Sequence, residues 1–218
     1  MWVHSSNSVL LSYLLAVAVC AAGSSHAVDA GNDVSRPNIL FILIDDLGHE
    51  AIGAYGGVSY ETPNIDALAE AGVRFTHAYS TPLCSPSRVQ LMTGRYGHRN
   101  YTEWGILPPD EITFANLLRD AGYATFVAGK WQLWGHELLW PVEEPCCLRE
   151  GQTPSDAGFD DYLVWYLGSK GPRYADPELS TREEDSEVYR GRYGPDLLAD
   201  FIAQSMEAQV RENPNQPF

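Results

Sequence analysis

Basic residues are scarce in this 218-residue chain: 14 lysines and arginines stand against 29 aspartates and glutamates, a formal net charge of -15 at pH 7. A surface so acidic repels phosphate backbones and anionic lipid, which excludes a nucleic-acid binder and predicts no stable membrane association. If the substrate is an anion, its attraction must be local, through arginine, lysine or a metal cation. Internal repeats and low-complexity tracts are absent. Long apolar runs are absent too: the longest, Val9 to Ala22, is too short to span a bilayer comfortably. What is present is a 44% hydrophobic content, enough for a real core in one α/β domain of ordinary size.

The apolar stretch leads to Ser25-His26-Ala27, a small-x-small pattern suited to cleavage after Ala27. Residues 1–27 therefore read as a signal peptide, and the protein is expected to be exported, to a periplasmic, secreted or lysosomal location. Met1 to Ala27 holds no Asp, Glu, Lys or Arg, so cleavage leaves the net charge unchanged. It also removes Cys20 and leaves Cys84, Cys146 and Cys147, an odd count in an oxidising compartment. Cys84 is the natural odd one out, because the adjacent Cys146 and Cys147 close only a strained ring and their pairing stays open.

Cys84 opens the run Cys84-Ser85-Pro86-Ser87-Arg88-Val89-Gln90-Leu91-Met92-Thr93-Gly94-Arg95. Ser85 suits an N-cap and Pro86 the first helical position, where a missing N–H costs nothing. Arg95 in the last turn, with Gly94 and Gly97, marks the stop. Cys84 is thus expected where free N–H groups and the helix dipole favour negative charge, with Arg88 one turn on along the same face. Position and neighbours leave two readings open, a reactive residue and a buried structural thiol.

The rest of the chain alternates strands and helices. Ile39 to Ile44 is a continuous β-branched and apolar run, expected as a strand buried on both faces of a parallel sheet and ending in Asp45-Asp46-Leu47-Gly48. Thr62-Pro63 opens a helix closed by Gly72, and Val73 to Tyr79 follows as a strand leading into Cys84. A helix from about Phe114 to Ala121, carrying Leu117 and Leu118, stops at Gly122 and hands over to a strand from Tyr123 to Ala128. That strand ends in Gly129-Lys130-Trp131. A last helix runs from about Asp196 to Val210, and Asn213 to Phe218 reads as the turn into a further strand. Glu143 to Tyr193, rich in charge, proline and glycine, reads as a solvated loop insertion. Its Arg173, Arg182 and Arg190 could each meet a polyanionic sugar, with nothing to select among them.

In an open parallel α/β sheet, ligands bind beyond the carboxyl ends of the strands. The expected strand ends deliver Asp45 with Asp46, Cys84 and Lys130 to one place. Adjacent carboxylates suit a hard cation, Ca²⁺ or less readily Mg²⁺, although an aspartate capping a turn satisfies the same pattern.

Cys84-x-Pro86-Ser87-Arg88 with Thr93-Gly94-Arg95 resembles the signature of the type I sulfatases, within the alkaline-phosphatase-like superfamily. Pro37-Asn38-Ile39 through Asp45-Asp46-Leu47-Gly48 is similar to the opening strand of that family, and Gly129-Lys130-Trp131 to its next motif, in the same order and spacing. The resemblance implies an α/β fold, a mostly parallel sheet with helices on both faces. It implies that a formylglycine-generating enzyme oxidises Cys84 in the unfolded chain, reading Pro86 and Ser87. A hydrate oxygen of the formylglycine, held on Ca²⁺, then attacks the sulfur of a sulfate monoester, and the second hydroxyl expels sulfate. By the same resemblance Asp45, Asp46 and modified Cys84 are metal ligands, Arg88 stabilises the nucleophile, and Lys130 contacts the anionic centre of a sulfated small-molecule or carbohydrate substrate.

Two departures qualify the match. Gln132 stands where many relatives have histidine, and glutamine cannot shuttle a proton near neutral pH. His49, His77, His98 and His136 read as bystanders. The downstream Asp-Asn metal pair, a later His and Lys, and a smaller C-terminal domain are also lacking, so residues 36–218 are expected to form the N-terminal part of a catalytic domain incomplete at its C-terminus. Competing readings are a phosphonate or phosphate diester hydrolase of the same superfamily and a secreted binding protein with a degenerate site. Two carboxylates and one further oxygen fall short of the roughly six to eight oxygens Ca²⁺ usually takes. The 218-residue chain alone is therefore expected to be inactive on an aryl sulfate, and robust turnover would refute this.

Overall fold

The computed structural model describes residues 36–135, 151–165, 167, 171–184 and 186–218. The expected signal peptide, Cys20, Cys146, Cys147 and His136 lie outside them. After two single-turn 3₁₀ segments, His49–Ala51 and Gly53–Tyr55, helix α1 spans Pro63–Ala71 with proline in its first turn, as Thr62-Pro63 and Gly72 predict. Helix α2 spans Cys84–Thr93. Gly94 closes it at φ 65°, its N–H donating to the Gln90 carbonyl at 2.9 Å, a left-handed stop that only glycine adopts at no cost. The short α3 covers Gly97–Asn100. Helix α4, Phe114–Asp120, starts at a capping box in which Thr113 and Asn116 bond each other's backbone N–H.

Strand β1, Phe126–Lys130, pairs in parallel with β2, Asp161–Trp165, placing Lys130 beside Trp165. Strand β3, Glu178–Thr181, runs antiparallel to β2, and β4, Glu187–Val188, antiparallel to β3. The described sheet is therefore mixed, in the order β1-β2-β3-β4. Helix α5, Gly194–Glu212, completes the described elements.

The alternation of a strand divides the core into two. Tyr162 and Val164 of β2 join Val89 of α2, Ala115 of α4, Trp131, Leu133 and Phe159 in one buried cluster. Leu163, between them, points the other way, into a cluster with Leu179 and Leu197, against which Trp165, Leu198 and Phe201 pack. The sheet thus carries α2 and α4 on one face and α5 on the other, as the α/β expectation requires.

Several sequence expectations are corrected. Ile39–Ile44 lies in no strand, and its side chains are 45–65% exposed. The cause is what separates it from β1. Ile39 N–H donates to the Phe218 carbonyl at 2.7 Å, while Ala124 N–H donates to the Pro217 carbonyl at 2.9 Å. Residues 217–218 therefore sit between the two segments and hold them roughly two strand spacings apart, about 9–10 Å, too far for direct pairing. Val73–Tyr79 is likewise not a strand, and Val73, Phe75 and Tyr79 are exposed. It is held by side chains instead: Tyr55 OH donates to the Phe75 carbonyl at 2.9 Å, and Arg74 Nη1 bonds the Ala54 carbonyl. The strand expected over Tyr123–Ala128 begins later, at Phe126. The segment expected as a solvated loop, Glu143 to Tyr193, supplies β2, β3 and β4 from residue 161 onward. Its charged residues obscure the apolar run Tyr162-Leu163-Val164 of β2 and the two short strands that follow. Helix α2 starts two residues earlier than expected, so Leu83 rather than Ser85 is its N-cap residue, and Cys84 is its first residue.

Depth in the core sets the cost of truncation. Leu179 is 1% exposed, so Leu179→Ala is expected to cost about 2–5 kcal/mol in a urea titration. Leu117, in α4, is 61% exposed, and Leu117→Ala is expected to stay within about 0.5 kcal/mol of the parent.

Candidate active site

Three segments bring charged groups to the C-terminal end of β1. Lys130 is the last residue of that strand, and Gly129 before it has φ 116°, a backbone turn that side chains rarely permit. The Lys130 ammonium lies 2.6 Å from Asp45 Oδ2 and 3.4 Å from Cys84 Sγ. It therefore bridges the end of the 39–44 segment and the first residue of α2, positions 85 and 46 residues away in sequence.

Arg88 lies beneath this bridge, only 8% exposed. Its Nη2 donates to the Lys130 backbone carbonyl, fixing α2 against the end of β1. Its Nη1 is buried and has no hydrogen-bond partner among the described residues. Burial pushes the guanidinium down to about 10, while the negative charges of Asp45 and Cys84 pull it upward. Burial wins, but a value near 10 leaves the cation fully charged at neutral pH. A buried charge with an unused donor beside Cys84 is expensive unless an anion comes to it.

The neighbours of the signature hold the helix mouth in place. Ser87 Oγ accepts from Thr81 N–H at 3.1 Å and lies 2.6 Å from Thr81 Oγ1. This ties residues 81–83 over the first turn, so Ser87 has a place in the folded protein as well as in the expected modification sequence. Ser85, 1% exposed, accepts the Gly105 N–H at 2.7 Å. Tyr101, which no local pattern in the sequence singled out, lies in the field of Cys84. Its hydroxyl is pushed up by burial first, then by Glu103 and Cys84.

Of the residues the sequence pointed to, Asp45, Cys84, Arg88 and Lys130 are brought into contact. Asp46, at φ 54°, lines the same cavity of about 1070 Å³ beside them. Among the described residues no three His, Cys, Asp or Glu side chains converge on one point. The donor chemistry nevertheless fits a hard divalent cation: two adjacent carboxylates end one segment, and the Lys130 ammonium already stands in as the positive charge on Asp45. Gln132 is buried at φ 46°, its Oε1 without a partner among the described residues, and is not among the cavity's lining residues. His49, His77 and His98 do not line it either. They meet Glu50, Thr76 and Tyr96 instead.

Known proteins place this arrangement. Steryl-sulfatase of Homo sapiens is 48% identical over 113 residues, 45% of this chain and 19% of its own length. N-acetylglucosamine-6-O-sulfatase of Bacteroides thetaiotaomicron is 30% identical over 213 residues, 96% of this chain and 34% of its own. A structure solved in complex with its substrate D-glucosamine-2-N,6-O-disulfate superposes with a TM-score of 0.65 at 31% identity, covering 84% of this chain and 33% of that one. The PsFucS1 sulfatase from Pseudoalteromonas sp. does so at 0.63 and 27%, covering 84% and 42%. The chain thus spans a fifth to a third of the length of these curated relatives and shares the α/β, alkaline-phosphatase-like fold of the solved sulfatases. The Sulfatase family model matches residues 37–218, the whole span that carries Asp45, Cys84, Arg88 and Lys130, and the chain belongs to the sulfatase family.

Proposed function

We propose that this chain carries the nucleophile side of an active site that hydrolyses sulfate monoesters, with a sulfated carbohydrate as the substrate class. The observation that supports it most is the Lys130 ammonium set between Asp45 and Cys84, with the buried Arg88 cation behind it. On this reading, formylglycine made from Cys84 supplies the nucleophilic oxygen and a Ca²⁺ ion held by Asp45 and Asp46 supplies Lewis acidity.

The chain's own residues do the rest. Helix α2 presents residue 84 at its positive end, where backbone N–H groups favour an anionic oxygen. Arg88 holds that oxygen through its unused Nη1, while its Nη2 stays on the Lys130 carbonyl and keeps the distance fixed. Lys130 offers its ammonium to a sulfate oxygen as charge builds on the leaving side, and a cation held by Asp45 would take over the carboxylate that the ammonium now meets. The S–O bond to the alcohol breaks, water is consumed, and sulfate departs. Gln132 can hydrogen-bond but not titrate, so no proton is routed through it. Names of relatives support the substrate class: one acts on N-acetylglucosamine 6-O-sulfate by its name, and another was solved with a disulfated glucosamine. Export through residues 1–27 and maturation by a formylglycine-generating enzyme belong to the same reading.

Mass analysis of the Cys84 peptide, from a host that has the modifying enzyme, is expected to show a species lighter than cysteine. An unmodified thiol there would sink the reading. Replacing Arg88 tests the buried cation separately. Arg88→Leu leaves the Lys130 carbonyl without its donor, and the expected loss is about 1–3 kcal/mol by denaturant titration. Sulfate-ester turnover by the matured enzyme is expected to fall at least about 100-fold.

A further inference from the structure

Four arginines lie in the 171–193 region. Arg192 reaches Asp200, its Nη2 3.8 Å from Oδ2, and among the remaining three the fold separates one from the others. Arg182 bonds the Asp160 backbone carbonyl, just before β2 begins, at the end of the sheet remote from Lys130. Arg190 sits in the turn that follows β4, its N–H bonded to the Val188 carbonyl at 3.2 Å. Arg173 is different. Its guanidinium carbon stacks 5.0 Å from the ring centre of Trp165 and 4.9 Å from that of Tyr174. Trp165 ends β2 and is the register partner of Lys130. Paired residues of parallel strands share a face about 4.8 Å apart, so Arg173 stands one ring beyond the strand that carries the reacting lysine.

This cluster is rigidly built. Trp165 Nε1 donates to the Gly171 carbonyl at 2.8 Å, fixing the ring. The segment under Arg173 is pinned on both sides: Glu178 N–H donates to the Pro172 carbonyl and Gly194 N–H to the Tyr174 carbonyl, both at 2.7 Å. At Gly194 a Cβ would fall 2.0 Å from the Arg173 carbonyl oxygen, so the start of α5 approaches as closely as only glycine allows. Tyr193 stacks on Tyr174 at 6.4 Å and 22°, and both rings are about half exposed.

Stacking engages the faces of a guanidinium and leaves its in-plane N–H fork for a carboxylate or sulfate. Exposed tyrosine faces beside it offer apolar area of the kind the C–H face of a sugar ring covers. None of Trp165, Arg173, Tyr174 and Tyr193 lines the cavity that holds Asp45 and Cys84, but the β1–β2 register sets the cluster at the same end of the sheet. In a chain of net charge -15, a cation held there attracts anions locally.

We propose that Arg173, with Trp165, Tyr174 and Tyr193, forms a saccharide subsite next to the reacting centre that takes a second anionic group of the substrate, a sulfate or carboxylate other than the ester being cleaved. The proposal rests on the sulfatase reading and narrows it to polyanionic sugars. Arg173 is a specificity residue, and no chemical step passes through it.

Equilibrium titration of the full-length enzyme in a Cys84→Ala background, which prevents turnover, tests it with two probes: D-glucosamine-2-N,6-O-disulfate and p-nitrophenyl sulfate. The disulfate is expected to bind more tightly. Arg173→Ala is expected to weaken it about tenfold and to leave p-nitrophenyl sulfate unchanged within about twofold. Arg173→Lys, which keeps the charge but not the fork, falls between. Tyr174→Ala, at a half-exposed ring, is expected to weaken only the disulfate. Equal loss for both probes, or no loss for either, overturns the subsite and leaves the sulfatase reading standing. Binding of neither probe by the parent overturns both.

Discussion

The guanidinium of Arg88 is buried, charged, and tied by one arm to the backbone carbonyl of Lys130. That single bond joins the first turn of α2 to the last residue of β1. The spacing of everything around it follows. Cys84 lies one helical turn before Arg88, so fixing the arginine fixes the thiol, and fixing the Lys130 carbonyl fixes the base of the ammonium that meets Asp45. Desolvation of the cation is the expense of this geometry, partly offset by the negative groups of Asp45 and Cys84. A lysine at position 88 has neither the second arm nor the planar fork, so charge alone does not reproduce the joint.

The acidity of the whole chain and the basicity of this end of the sheet are two sides of one arrangement. A field of net negative charge keeps anions away everywhere except where cations are clustered and partly withdrawn from water, where the local dielectric strengthens them. Lys130 and Arg88 form such a cluster below the cavity, and Arg173 stands above the next strand. Arg95 is otherwise engaged, its guanidinium 2.6 Å from Glu111. Discrimination between anions therefore depends on a few placed side chains rather than on overall charge.

The residues of the site were legible in the sequence because each lies at the end of a patterned element. A β-branched run stops at Asp45, a Ser-Pro pair announces the helix behind Cys84, and a glycine precedes Lys130. Their element types were less legible. Ile39–Ile44 has the composition of a buried strand, yet its pairing depends on residues 217–218, and no local pattern reports a neighbour so distant. Strands β3 and β4 hid among charges because they are short and each begins at a glutamate, whereas β2 carries the apolar run Tyr162-Leu163-Val164, buried on both faces, inside a segment whose overall composition reads as loop. Trp165 looked like part of a loop. Only the β1–β2 register, a property of the pairing and not of either segment, sets it beside Lys130.

The hydrogen bond between Ile39 and Phe218 also bears on when the site can exist. The segment that carries Asp45 is fastened by residues made far later, while Cys84 and its helix are already complete. At ordinary rates of synthesis the interval between Cys84 and Phe218 is on the order of ten seconds. During that interval the segment that carries Asp45 lacks the bond that residue 218 makes to it. If residue 84 is modified on the unfolded chain, as proposed, that interval is one in which a modifying enzyme can reach it before the segment of Asp45 is fastened.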